Sequence, residues 1–228
     1  MNIFIVFILI VIFTIIIYVY KTRKNYPLFL SNGQINEFYT LMEKFDDVCQ
    51  EKDIKYFIVA GSLLGAVRHG GIIPWDDDID IGIVEDDFIK LQKIDLSPYG
   101  LQIRGLAKDN IGKVFFKDKH DSGEKMHSIF IDIFVVEKNN ETQKYEYTQE
   151  YARNMWPKEY FYEDELYPLR KYKFGNIEVS GPNKYLPYCE RVWSKQWQKP
   201  KFSSKKTLFY FPEFLKINKK FDKIHQNF

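Results

Sequence analysis

The chain has 228 residues, 45% apolar, 18% aromatic and 28% charged, with a formal net charge of +2. That apolar share excludes a disordered or low-complexity protein, and two Cys with four His exclude a disulfide scaffold or a zinc ribbon. The near-neutral total conceals three regions. Residues 1–20 carry no charged side chain, and from Lys195 onward nine Lys face only Glu213 and Asp222, which leaves residues 21–194 net acidic.

From Ile3 to Tyr20 every residue except Thr14 is apolar or aromatic. Eighteen such residues are about the minimum for a hydrocarbon core of roughly 30 Å. Tyr18 and Tyr20 fall at the position of an interfacial aromatic belt, and Lys21, Arg23 and Lys24 follow. No basic residue precedes the run and no small-x-small cleavage site follows it, so a signal anchor over 1–20 is favoured over a cleaved signal peptide. Two orientation signals oppose each other: basic residues after the span favour a cytosolic body, whereas the sequon Asn140-Glu141-Thr142 has meaning only in a lumen. A linker over 21–33, containing Pro27, leads to the body.

Residues 34–52 repeat Ile35, Phe38, Met42, Phe45, Val48 and Cys49 at a helical period. Tyr56 to Ala60 is a short apolar strand ending at Gly61-Ser62, and Leu63 to Arg68 forms a brief helix closed by Gly70-Gly71. Ile72 to Trp75 connects onward, since Pro74 lacks the donor that a central strand needs. Asp78 to Val84 alternates strictly, with Asp78, Asp80 and Gly82 on one face and Ile79, Ile81 and Ile83 on the other. A helix from Glu85 to about Ile94, a strand pair over 101–106 and 111–118, and a strand over 129–136 follow. After residue 145 the chain is Tyr-rich, with loop and helix signals and a helix from Tyr185 to Trp197.

Asp78 and Asp80 leave the same face of their strand. Two carboxylates so close repel unless a cation lies between them. Hard oxygen ligands at this spacing suit Mg²⁺ or Mn²⁺. Asp132, embedded in an apolar strand, supplies a third carboxylate if that strand lies alongside. The Gly61-Ser62 turn, at a strand end opening into a helix, offers N–H groups and a hydroxyl to a phosphate. Together these are the parts of a phosphoryl- or nucleotidyl-transfer site. Ten aromatic residues within 145–174 suit core packing or a sugar-stacking wall. The basic tail, 201–228 with the Lys residues just before it, suits anionic lipid, a polyanionic glycan or plain solvent. Nothing in the sequence marks a nucleic-acid module.

The run from Gly61 through Arg68-His69-Gly70, followed by Ile73-Pro74-Trp75-Asp76-Asp77-Asp78-Ile79-Asp80-Ile81, resembles the LicD family, which includes fukutin and fukutin-related protein. Ile131-Asp132-Ile133-Phe134 is similar to that family's later acidic strand, and the segment 174–200 is similar more loosely. The resemblance implies an α/β (α+β) nucleotidyltransferase domain over 34–200, akin to the DNA polymerase β core, with a mixed sheet and flanking helices, preceded here by one N-terminal transmembrane helix. It implies transfer of a substituted phosphate from a CDP-linked donor to a glycan hydroxyl. Carried onto this chain, it gives Gly61 and Ser62 to the phosphate side and Asp78, Asp80 and Asp132 to the metal. Asp132 is expected to take the proton of the attacking hydroxyl as well. Arg68, in the loop between turn and metal strand, is expected to stabilise phosphate charge, His69 to lie at the surface, and Asp76 to back a ligand or face solvent. Cys49 and Cys189 have no ligand cluster in sequence and are expected to be reduced, buried thiols without zinc. Two other readings compete: a membrane-anchored glycosyltransferase using Asp78 and Asp80 to hold a sugar nucleotide, and a non-catalytic scaffold of the same fold.

Overall fold

The computed structural model describes residues 3–25, 30–105, 111–117 and 129–199. The chain divides into two compact units, one holding residues 1–30 and 199–228, the other residues 31–198.

In the first unit, helix α1 spans Ile3–Asn25 and carries no acidic residue in its first turn. Its apolar side chains are exposed all round, Phe7, Phe13, Tyr18 and Tyr20 among them. Among the described residues no helix is long and apolar enough to cross a membrane. The transmembrane span expected of residues 1–20 thus has no support from the fold. The helix also continues to Asn25, past the expected start of the linker, because nothing between Tyr20 and Asn25 breaks a helix. The basic tail over 201–228 lies outside the described residues.

The second unit opens with α2, Asn32–Glu51, whose start is fixed by a reciprocal pair: Ser31 Oγ accepts from Gln34 N–H, and Gln34 Oε1 accepts from Ser31 N–H. Phe38, Leu41, Met42, Phe45, Val48 and Cys49 form its buried stripe. Strand β1 (Tyr56–Ile58) leads into α3 (Ala60–His69), which Gly70 closes at φ +71. Strand β2 (Ile79–Val84), helix α4 (Glu85–Leu91), strands β3 (Leu101–Arg104), β4 (Gly112–Phe116), β5 (Phe130–Lys138) and β6 (Lys144–Tyr147) follow. Helix α5 (Glu150–Met155), strand β7 (Phe161–Tyr162), helix α6 (Glu163–Leu166), the hairpin of β8 (Arg170–Phe174) and β9 (Ile177–Gly181), and helix α7 (Tyr185–Trp193) complete the unit.

The main sheet has the order β1-β2-β5-β4-β3, with β6 on β5 and β7 on β6. The β2–β5 pair is parallel and the other pairs are antiparallel, so the expected mixed α/β sheet with flanking helices is present. Ile79, Ile81, Ile83, Ile131, Ile133, Val114 and Leu101 point to one face and are fully buried, as the period-2 pattern requires. Beyond residue 145 the fold differs from expectation. Strands β6 to β9 replace loop and helix there, because in strands as short as β6 and β7 burial by neighbours outweighs the local pattern.

Gly65 lies inside α3, where a Cβ would stand 2.5 Å from Gly71 O and 3.3 Å from Ile73 N. Helix propensity alone favours Ala there by about 1 kcal/mol, but both neighbours are backbone and cannot swing aside, and overpacking costs about 1–3 kcal/mol. Gly65→Ala is therefore expected to lower stability, read as a reduced midpoint in urea denaturation. An unchanged or raised midpoint would show that the loop after α3 can yield.

Candidate metal and phosphate-transfer site

The site begins with register. Parallel pairing sets Asp80 opposite Asp132, and neighbouring strands lie about 4.8 Å apart. Both side chains leave the face opposite the isoleucines. Asp78 stands just before β2, and ligand oxygens of Asp78, Asp80 and Asp132 all lie within 4.8 Å of one another. The structure thus brings together the three carboxylates singled out in sequence. Asp76 and Asp77 join Asp78 in a second group of the same tightness.

Four features surround this charge. Val59 N–H donates to Asp80 O and extends the β1–β2 pairing, which delivers the start of α3 to the cluster. Gly61 N–H then donates to Asp80 Oδ2 at 3.1 Å, and Asp80 N–H donates to Ser62 Oγ at 2.8 Å. Gly61 and Ser62 therefore hold Asp80 in this structure, and Ser62 is buried. A Cβ on Gly61 would meet Asp76 Oδ2 at 2.6 Å and Asp80 Oδ2 at 3.2 Å, so only glycine admits two carboxylates this close to the turn.

Ala60, the first residue of α3, has φ +42, a left-handed conformation that costs a non-glycine residue roughly 1 kcal/mol or more. Its N–H donates to Tyr188 Oη at 3.2 Å. Glu159 accepts from Tyr147 Oη at 2.5 Å and from Tyr188 as well. Tyr188 is fully buried and stacked on Phe161 at 4.3 Å. A strained turn is thus held from behind by a tyrosine–carboxylate pair drawn from the C-terminal third of the chain.

Lys113 on β4 is the register partner of Asp132 and donates to its Oδ1 at 2.5 Å. The same ammonium stands 3.7 Å from the Phe130 ring centroid.

The electrostatics follow from crowding. Burial, then Asp76, Asp77 and Asp132, push the Asp78 carboxyl up to about 7, with Lys113 opposing. Asp80 is raised well above the carboxylate range by burial and by Asp78, Asp76, Asp132 and Glu159. Asp132 is raised by burial, against which Lys113 acts. Such a cluster holds protons where it would more favourably hold a cation. A set of oxygen ligands with unrelieved negative charge fits Mg²⁺ or Mn²⁺, with Asp78, Asp80 and Asp132 as the residues that would hold it.

The remaining sequence candidates are placed differently. Arg68 and His69 lie in the last turn of α3 and not in a loop, because Gly70 delays the helix end. Arg68 donates from Nη1 to Trp197 O at 3.1 Å, and burial lowers it to about 10, with Asp76 opposing, so it stays charged at pH 7. His69 packs edge-on against Trp75, and burial together with Arg68 pushes it down to about 4, which leaves it neutral at pH 7. Cys49 and Cys189 are buried free thiols, Cys189 raised to about 12 by burial. The aromatic segment divides: Tyr147, Phe161 and Phe174 are core, whereas Tyr151 and Tyr162 are exposed. Sequence reasoning missed Lys113, Glu159, Tyr147 and Tyr188. The alternation of Lys113 with buried Val114 within a strand was the one available signal.

An acidic cation-type site at the edge of a mixed sheet, closed by a Gly-Ser helix start, defines the class as a nucleotidyltransferase-type domain. The chain belongs to the LicD/FKTN/FKRP family, whose nucleotidyltransferase-domain model matches residues 53–184. Among its relatives is the uncharacterized protein RP689 of Rickettsia prowazekii (strain Madrid E), 39% identical over 172 residues, which are 75% of this chain and 58% of that protein. Ribitol 5-phosphate transferase FKRP of Homo sapiens is 27% identical over 146 residues, 63% of this chain and 28% of that protein. Lipopolysaccharide cholinephosphotransferase LicD of Haemophilus influenzae is 42% identical over 48 residues, 21% of this chain and 18% of its own. The chain thus covers little more than half of the Rickettsia protein and less of the others. A crystal structure of ANT(2")-Ia in complex with adenylyl-2"-tobramycin is a loose structural likeness, with TM-score 0.45 at 13% identity, covering 82% of this chain and 97% of that one.

The sign of the pH effect is fixed by the raised carboxyls. Folded Asp78, Asp80 and Asp132 hold protons more tightly than the unfolded value of 3.8, so their contribution to stability falls as pH rises from about 3.8 toward 7. A divalent cation bound at these carboxylates would displace those protons. Thermal unfolding with Mg²⁺ against EDTA is therefore expected to show a larger stabilisation at pH 8 than at pH 5. Equal stabilisation at both would place the ion elsewhere.

Proposed function

We propose that this chain is a metal-dependent transferase that moves a substituted phosphate, such as phosphocholine or ribitol phosphate, from a CDP-linked donor to a hydroxyl of a glycan. The observation that carries the reading is the in-register juxtaposition of Asp80 and Asp132 with Asp78 alongside. The family to which the chain belongs supports it: one named relative is a ribitol 5-phosphate transferase and another a lipopolysaccharide cholinephosphotransferase.

In this reading the hydroxyl oxygen of the acceptor forms a bond to the donor phosphorus distal to the cytidine. The bond from that phosphorus to the bridging oxygen breaks, and CMP leaves. Asp132, whose carboxyl is raised, takes the hydroxyl proton. Gly61 and Ser62 hold Asp80 in place toward the donor's phosphates. A divalent ion bound by Asp78, Asp80 and Asp132 would neutralise phosphate charge and polarise the phosphoryl oxygens.

The reading extends to a membrane. Its support is the run from Ile3 to Tyr20, apolar or aromatic except for Thr14, most of whose side chains from Ile5 on are exposed around a helix, with Lys21, Arg23 and Lys24 after it. Full-length protein is expected to sediment with liposomes, and a variant lacking residues 1–24 to remain in the supernatant. Equal sedimentation of the two would reject anchoring by this segment.

The activity test offers CDP-choline, CDP-ribitol, CDP-glycerol and UDP-sugars to the full chain in detergent, with Mg²⁺ or Mn²⁺. One CDP-alcohol is expected to release CMP, and Asp78→Asn/Asp80→Asn to reduce that release by about 100-fold or more. Release of UDP from a UDP-sugar would instead make the chain a glycosyltransferase. Absence of metal-dependent nucleotide binding altogether would leave a non-catalytic scaffold.

A further inference from the structure

The row that contains Asp80 and Asp132 does not end at the carboxylates. Asp80 pairs with Asp132 across β2–β5, Asp132 with Lys113 across β5–β4, and Lys113 with Arg104 across β4–β3. Directly paired residues share a face of a sheet. One straight line over four strands therefore reads Asp, Asp, Lys, Arg on the face opposite the buried isoleucines. At about 4.8 Å per strand the line measures about 14 Å from end to end. Half of it collects cations and the other half collects anions.

Lys113 reaches back toward the carboxylates, its ammonium over the Phe130 ring and on Asp132, with its side chain 38% exposed. Arg104 is exposed at the end of β3, one strand further out. A guanidinium and an ammonium on adjacent strands present N–H donors to a tetrahedral anion, the guanidinium as a planar fork and the ammonium as a point charge. A cation taken up by Asp132 would compete with Lys113 for the same oxygen and leave that ammonium available to a phosphate.

We propose that Lys113 and Arg104 form an anion subsite for the phosphate distal to the nucleoside in a diphosphate-linked donor whose nucleoside-side phosphate lies over Asp80 and Asp132. This rests on the transferase reading above and deepens it. A donor with a single phosphate reaches the carboxylates and leaves the cations unused.

The test is calorimetric titration of the full chain in detergent, with Mg²⁺ present, using CMP and CDP as probes. The wild type is expected to bind CDP at least about tenfold more tightly than CMP, the scale of one charge-assisted hydrogen bond or more. Arg104→Gln, an exposed substitution at a strand end, and Lys113→Gln, which retains a donor toward Asp132, are each expected to remove most of that preference. CMP affinity should stay within about twofold. Lys113→Gln is expected to keep or raise Mg²⁺ affinity measured without nucleotide, because it removes a competing cation. Equal losses of CMP and CDP affinity, or an unchanged preference in both variants, would overturn the subsite. A fall in Mg²⁺ affinity in Lys113→Gln would assign Lys113 to holding Asp132 alone and overturn its share. Absence of CMP release by the wild type, together with a CDP preference that depends on Arg104, would contradict the transferase reading and leave the subsite standing.

Discussion

Everything in the candidate site depends on the parallel, in-register pairing of β2 with β5. A shift of one residue would turn Asp132 into the isoleucine face and bring Ile131 or Ile133 beside Asp80, because strand side chains alternate. In the observed register two carboxylates sit one strand spacing apart and a third stands at the strand entrance. Burial raises the carboxyls of all three, and mutual repulsion adds to it at Asp78 and Asp80. Hydrophobic burial on the opposite face holds the register against it: Ile79, Ile81, Ile131 and Ile133 are fully buried.

A supporting shell turns this register into a usable geometry. The β1–α3 junction must bring N–H groups to Asp80, and it does so through a left-handed Ala60 that Tyr188 and Glu159 brace from behind. The loop after α3 is pinned by another close approach. Gly175 N–H donates to Gly70 O, and the Tyr39 ring lies where a Cβ on Gly71 or Gly175 would stand, 2.2 Å from its atoms. The β8–β9 turn thus clamps the segment leading into Asp76, Asp77 and Asp78. The C-terminal third of the unit buttresses the carboxylate cluster carried by its first two thirds, and many aromatic side chains there are core.

The elements that carry the site were legible because their sequence patterns are local. Helix α2 follows a 3.6 period, β2 a strict alternation, β5 an apolar run broken by one Asp, and the end of α3 a Gly-Gly pair. The three metal-site carboxylates and the Gly61-Ser62 turn came from those patterns, although Ser62 and Gly61 turned out to hold Asp80 directly. Lys113, Arg104, Tyr188 and Glu159 were not legible. Their roles arise from strand register and from contacts over long sequence separations, for which no local period exists. Arg68 lies inside α3, as the helix over Leu63 to Arg68 has it, and His69 extends that helix by one residue before the left-handed Gly70 ends it. The short strands β6 to β9 were missed because two to five residues give too little alternation to distinguish a strand from a loop.

Asp78, Asp80 and Asp132 are proposed together to hold one divalent ion. Anomalous diffraction from crystals soaked with Mn²⁺ tests this most directly. A single strong peak is expected with carboxylate oxygens of all three residues at about 2.0–2.2 Å, and Lys113 displaced from Asp132. A peak ligated only by Asp76, Asp77 and Asp78, or no peak with Lys113 still on Asp132, would contradict it.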